Sequence, residues 1–184
     1  AMVLRGIFLM RWREIQWFYQ DGCNRLFPDA YQAFARQIPP GERGDMVSAY
    51  YAKLTDPNPT VRLRAAREWS RWEGTTLSLA ESPGRTQAFG SDAFALAFAR
   101  IECHYFINRG FFDRDDRLRA GVPRIRHIPP TIVNGRYDVI TPQQNAWDLV
   151  AAWPEAHLRI VPLAGHAMTE PGTVHELITA TNAY

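Results

Sequence analysis

An aspartate and a histidine, each placed one turn past an apolar run, are the residues best suited to proton-transfer chemistry in this sequence. Gly135-Arg136-Tyr137-Asp138 follows the run beginning Pro130-Thr131-Ile132-Val133, and Gly165-His166-Ala167 follows His157-Leu158-Arg159-Ile160-Val161-Pro162-Leu163. Short runs of this kind, bounded by turn residues, read as buried strands. In an open α/β sheet, ligands gather at the carboxyl ends of the strands. A carboxylate there holds one imidazole nitrogen in its protonated form and stabilises the imidazolium, while the other nitrogen faces a nucleophile. Asp138 and His166 are therefore the expected acid–base pair. The nucleophile is not among these residues. No Gly-x-Ser-x-Gly turn and no HGGG-like segment occurs. Ser48, Ser70, Ser78, Ser82 and Ser91 fall in a helical stretch, and neither Cys23 nor Cys103 sits in such a turn.

Two carboxylates fall on apolar helix faces. Glu73 follows Trp69 by one turn and adjoins Trp72; Glu102 follows Phe98 by one turn and lies near Tyr105. The helix that carries Glu102 has Phe94, Leu96, Phe98, Ile101, Tyr105 and Phe106, apolar nearly all round, which predicts burial. A buried carboxylate must be paired or hydrogen-bonded. Two readings are open: local pairing, Glu73 with Arg71 and Glu102 with Arg100 or His104, or a shared role in binding a small organic ammonium among aromatic rings.

The elements that position these groups follow from periodicity. Val3-Leu4-Arg5-Gly6-Ile7-Phe8 reads as a strand entered with no lead-in, so an N-terminal part of that sheet is expected to precede it. From Arg11 to Asp116 the pattern is helical. Pro28-Asp29 opens one helix and Pro39-Pro40-Gly41 ends it; Asp45 precedes another; Asn58-Pro59 reads as an N-cap and first helical residue, with the helix running to about Leu79. Ser82-Pro83-Gly84 reads as a loop, Ala93–Asn108 as a helix stopped by Gly110. After Pro123 the order becomes strand, helix (Pro142–Trp153), strand, helix (Thr173–Thr181), which implies parallel strands with right-handed crossovers. The expected division is a strand in residues 1–9, a mainly helical region in 10–120 and a strand–helix–strand–helix region in 121–184.

Composition bounds the function. The 184 residues are 46% hydrophobic and 22% charged, with a net charge of +2. That excess is too small for a nucleic-acid binder, and no apolar run is long enough to span a membrane. No signal peptide is read at the N-terminus, and the two cysteines suggest neither a disulfide framework nor a metal site, so a cytoplasmic protein is expected. His104, His127, His157, His166 and His175 fit no ligand spacing, so no metal and no cofactor is expected. Aromatic residues reach 12%, which implies an aromatic core or an aromatic-lined pocket.

These features resemble one family. Val3-Leu4-Arg5-Gly6-Ile7-Phe8, Trp17-Phe18-Tyr19-Gln20-Asp21-Gly22, Trp72-Glu73-Gly74, the segment from Phe94 to Tyr105, Ile125-Arg126-His127-Ile128-Pro129, Gly135-Arg136-Tyr137-Asp138 and Gly165-His166 are similar to the C-terminal part of proline iminopeptidases (prolyl aminopeptidases). These are serine peptidases of the α/β-hydrolase fold. The resemblance implies an α/β fold: the last three strands of an α/β-hydrolase sheet with a mainly helical cap. It implies release of N-terminal proline from peptides, with Asp138 and His166 as the acid and base of a serine triad. It also implies that Glu73 and Glu102 bind the charged imino group, and that Phe8 and Phe18 line the proline pocket. The serine, the oxyanion loop and the earlier strands would lie in a missing N-terminal half, a partner without which the chain is expected to be inactive. Rival expectations are another capped α/β-hydrolase (esterase, amidase or epoxide hydrolase), which needs no paired glutamates, and a non-catalytic truncated paralogue that binds peptides or a partner.

Overall fold

A computed structural model describes residues 1–80 and 82–184 of the chain. It is a mixed α/β structure: nine α-helices and a parallel three-stranded sheet among the described residues, consistent with part of an α/β-hydrolase sheet accompanied by a helical cap. Two compact units can be distinguished. One comprises Ala1–Glu14, Leu77–Ala80 and Asp113–Tyr184; the other comprises Ile15–Thr76 and Glu81–Phe112.

The first unit is built on the strands β1 (Met2–Arg5), β2 (Pro130–Gly135) and β3 (His157–Val161), in the order β1-β2-β3 and all parallel. The register places Leu4 opposite Ile132 and Ile132 opposite Leu158. β2 is the central strand and every one of its residues is buried. Its alternation sorts the two faces. Ile132 packs with Ile7, Leu9, Val122, Ala146, Leu149 and Trp153, whereas Val133 packs with Val161, Ala164 and Leu177. The first cluster brings in helix α8 (Gln143–Ala152) and the second brings in helix α9 (Pro171–Asn182). Parallel strands joined through a helix must bury both sheet faces, which is why every residue of β2 is buried, the polar Thr131 and Asn134 included.

The first strand ends sooner than the apolar run suggests. Gly6 takes φ 52°, a left-handed conformation, and breaks the extended path after Arg5. The chain then passes Leu9 and Arg11 into helix α1 (Trp12–Tyr19) over an ionic anchor. Buried Arg11 donates from Nε to Glu14 Oε1 at 2.5 Å, from one terminal nitrogen to Asp148 Oδ2 at 2.7 Å, and from the other to Asn145 Oδ1 at 3.2 Å. Glu14 Oε2 accepts the backbone N–H of Leu9 at 2.8 Å. Burial pushes the Glu14 carboxyl up and Arg11 opposes that shift.

The second unit is helical. It contains α2 (Pro28–Ala35), α3 (Met46–Leu54), α4 (Pro59–Thr76), α5 (Pro83–Phe89) and α6 (Asp92–Ile107). Helix α4 starts as its sequence demands: Asn58 Oδ1 accepts the Thr60 N–H at 2.9 Å, and Pro59, lacking an N–H, takes the first position. Asp45 caps α3 through the Ser48 N–H at 3.1 Å. The core is aromatic. Phe34 stacks on Tyr50 at 4.4 Å between ring centres, Tyr19 stacks on Trp69 at 4.3 Å, and the Tyr50 hydroxyl donates to the Phe34 carbonyl at 2.7 Å.

Four further expectations are corrected. Ser82-Pro83-Gly84 is not a loop throughout: Pro83 occupies the first turn of α5, the helical position a proline tolerates. The helix from Pro59 ends at Thr76, and Leu77–Ala80 leaves it as a non-helical segment of the first unit. Helix α6 is not buried all round. Ala95, Ala99, Cys103 and Phe106 face inward, whereas Phe94, Ile101 and Tyr105 are exposed. The small alanines are what let this helix approach α4 and α3. The strand at His157 stops at Val161, and the turn residues from Pro162 onward include Leu163 at φ 38°.

The Arg11 anchor yields a stability prediction. Arg11→Met leaves Glu14 buried without its cation, and should lower the unfolding free energy by about 3 kcal/mol. Urea denaturation followed by circular dichroism checks this: the midpoint falls while the slope is unchanged. An unchanged midpoint would show that the anchor contributes nothing net.

Candidate active site

Asp138 and His166 meet because two turns abut backbone to backbone. The pairing of β2 with β3 continues past the strands: the Arg136 N–H donates to the Val161 carbonyl and the Tyr137 N–H to the Ala164 carbonyl, both at 2.9 Å. A Cβ on Gly135 would lie 2.1 Å from the Gly165 carbonyl oxygen, so only glycine fits there. The side chains that follow then converge across 28 residues of sequence, His166 Nδ1 lying 2.9 Å from Asp138 Oδ2.

The aspartate is fully inside the protein and heavily bonded. Its Oδ1 accepts the Ile140 N–H at 3.1 Å and the Thr141 N–H at 2.8 Å, and its Oδ2 accepts the Thr141 hydroxyl at 3.0 Å. A buried carboxylate with that many donors is held in one orientation. Donation from His166 Nδ1 to Asp138 leaves Nε2 with its lone pair free to act as a base. The Thr141 hydroxyl oxygen also lies 3.0 Å from His166 Nδ1, so it touches both partners. Beneath the ring lies Gly6, where a Cβ would come within 3.0 Å of His166 Cε1. Arg5 donates to the His166 carbonyl at 2.6 Å.

Glu73 and Glu102 are brought together in the helical unit. Neither makes the local ion pair considered from the sequence: Arg71 bonds Glu68 instead, and no arginine, lysine or histidine pairs with either glutamate among the described residues. Both meet the hydroxyl of buried Tyr19. It donates to Glu73 Oε1 in a short hydrogen bond, and lies 3.4 Å from Glu102 Oε2. Trp69 donates its indole N–H to the same Glu102 oxygen at 2.8 Å. Burial, and then the charge of Glu102, hold the Glu73 carboxyl well above the usual carboxylate range. Burial also pushes Glu102 up to about 7, against the lowering effect of the Trp69, Tyr19 and Glu73 bonds. Burial and the two carboxylates keep the Tyr19 phenol protonated, hence a donor. The pair is thus surrounded by neutral donors, with no cationic side chain against it among the described residues.

The two aromatic residues expected beside the ligand are placed differently. Phe18 is buried in the helical unit, edge-on to Tyr19 at 4.8 Å and tilted against Trp72 at 5.4 Å. Phe8 belongs to the first unit, half-buried just beyond Gly6. Thr141, Tyr19 and Trp69 were not singled out from sequence as functional. A threonine near an aspartate, or a tyrosine among aromatics, carries no signal of its own. Among the described residues no group of three or more His, Cys, Asp or Glu forms a metal site, and no helix is long and apolar enough to cross a membrane.

No protein-family model matches the chain. Curated proteins do. A probable proline iminopeptidase of Leptolyngbya boryana is 54% identical over 184 residues, 100% of this chain and 57% of that protein. A proline iminopeptidase of Xylella fastidiosa is 50% identical over 183 residues, 100% of this chain and 58% of that protein. The proline iminopeptidase of Arabidopsis thaliana is 49% identical over 181 residues, 98% of this chain and 48% of that protein. The resemblance to proline iminopeptidases therefore extends over the whole chain, and the chain spans about half to three-fifths of the length of these relatives.

The raised carboxyls make stability pH-dependent. A carboxyl whose folded pKa lies above its unfolded value of 4.5 contributes stability that is complete below that value and is lost as pH rises through about 7. The chain should accordingly resist urea better at pH 5 than at pH 8. Glu73→Gln, which removes one charge and keeps an acceptor, should flatten that difference. The same pH slope in the variant would exclude the pair as its source.

Proposed function

We propose that this chain carries the acid–base and cation-recognition parts of a prolyl aminopeptidase, which releases N-terminal proline from peptides. The observation that carries the reading is the pairing of buried Glu73 with half-buried Glu102, held by Tyr19 and Trp69 without a cationic side chain among the described residues. An ordinary hydrolase has no need for two uncompensated carboxylates in an aromatic core. An aminopeptidase has: the charged imino group of an N-terminal proline is what separates its substrate from an internal proline. The names of the relatives support the same reading.

In the proposed mechanism a serine hydroxyl attacks the carbonyl carbon of the N-terminal proline. His166 Nε2 takes the serine proton as the new C–O bond forms. It then delivers that proton to the departing amine as the C–N bond breaks, leaving an acyl-enzyme. Water repeats the sequence and releases proline. Asp138 keeps the imidazole in the tautomer that exposes Nε2 and stabilises the imidazolium between the two transfers. Glu73 and Glu102 bind the imino group, and Phe18 and Phe8 contribute apolar surface for the ring. The serine is not supplied by these 184 residues, which contain no Gly-x-Ser-x-Gly turn. The chain alone is accordingly proposed to bind but not to turn over substrate.

The first experiment combines intact mass with prolyl-β-naphthylamide hydrolysis on one sample. A mass of 21.0 kDa with no release fits a chain that lacks the nucleophile. In the longer protein that carries this chain, His166→Ala should lower kcat/KM on the order of 10⁴-fold. Glu73→Gln should lower it at least tenfold for the free prolyl substrate, and N-acetylation of the substrate should abolish release. Full turnover by His166→Ala, or equal cleavage of the acetylated substrate, would sink the proposal.

A further inference from the structure

The turn that presents His166 is held from outside by a residue with no place in the mechanism. Leu77–Ala80 crosses the Gly165–His166 turn so closely that a Cβ on Gly165 would lie 2.7 Å from the Leu79 nitrogen and 3.0 Å from the Ser78 carbonyl carbon. The His166 N–H donates to the Leu77 carbonyl at 3.0 Å. Both elements are fastened by one carboxylate. Glu170 Oε2 accepts the Gly165 N–H at 2.6 Å, and Glu170 Oε1 accepts the Leu79 N–H at 2.9 Å.

Glu170 stands at the N-cap of α9, yet its side chain makes no cap bond to that helix. Capping is normally done by Ser, Thr, Asp or Asn, whose short side chains reach the first turn. A glutamate here is explained by the two N–H groups it reaches elsewhere, one on each side of the crossing. The turn itself needs such fastening, because Leu163 adopts φ 38°, a conformation that a non-glycine residue takes only when its surroundings impose it.

We infer that Glu170 is a positioning residue for His166: its two oxygens clamp the Leu77–Ala80 strap across the Gly165–His166 turn and so fix the backbone from which the imidazole reaches Asp138. The inference rests on the reading of His166 as the base. Its test, however, reads imidazole geometry and not turnover, and failure of that reading is seen separately in the His166→Ala assay.

The test is nuclear magnetic resonance on the whole chain, following solvent exchange of the His166 Nδ1 proton and of the backbone amides. Two variants are compared: Glu170→Gln, which keeps the length and shape but retains one acceptor oxygen, and Glu170→Ala. In Glu170→Gln the Gly165, Leu79 and His166 amides and the His166 Nδ1 proton should all exchange at least tenfold faster, while amides of α8 and of the body of α9 keep their rates. Glu170→Ala should move the same protons further. Faster exchange at Gly165 and Leu79 with an unchanged Nδ1 proton would overturn the inference, since the clamp would then not reach the imidazole. A uniform rise across the sheet unit, in Glu170→Gln as in Glu170→Ala, would also overturn it, by showing a general stability effect only.

Discussion

Gly135 and Gly165 pass each other with no room for a side chain at the first of them, and the meeting of Asp138 with His166 depends on that contact. A Cβ at Gly135 would sit 2.1 Å from the opposing carbonyl oxygen. Backbone packing this close sets the separation of the two turns, and with it the reach of Asp138 to His166. The sheet exists to deliver these two turns side by side. β2 is buried on both faces, α8 and α9 seal it, and the strand pairing continues one step past the last strand residues into the turns. Around the pair, short-range devices remove the remaining freedom: Thr141 bonds both partners, Gly6 leaves space beneath the ring, and Arg5 holds the His166 carbonyl.

The helical unit solves the opposite electrostatic problem. At Asp138, backbone N–H groups and the Thr141 hydroxyl satisfy both carboxyl oxygens. Burial pushes the Glu73 and Glu102 carboxyls up, at Glu73 with the added charge of Glu102, and the donors are a phenol and an indole that carry no charge. Arg71, the expected partner of Glu73, is engaged with Glu68 instead. One carboxylate is fixed against an imidazole by its donors. The other two share a phenol donor, with no cationic side chain against them among the described residues.

Much of this was legible in the sequence, for reasons that differ by element. Asp138 and His166 could be named because each directly follows an apolar run, and a strand end is a local pattern. The Asn58-Pro59 helix start was equally local. Glu73 and Glu102 could be named because a carboxylate on an aromatic helix face conflicts with its neighbours. Their actual partners could not: Tyr19 lies 54 residues from Glu73, and no periodicity links them. Glu170 was invisible for the same reason, its second bond spanning 91 residues. Pro83 was misread because proline and glycine punctuate loops and also open helices, and only the following turn decides which. The end of α4 was misplaced because Leu77 and Leu79 continue an apolar pattern, although tertiary hydrogen bonds draw them off to His166 and Glu170.

Trp69 gives the carboxylate pair an optical voice. Its indole N–H ends on Glu102, and its ring is stacked on the phenol that bridges both acids. Light absorbed by that indole is therefore emitted next to a charge that changes with protonation. A buried indole shifts its emission with the local field. Events at Glu102 thus become visible in the protein's own fluorescence, without an added label and without any chemistry taking place.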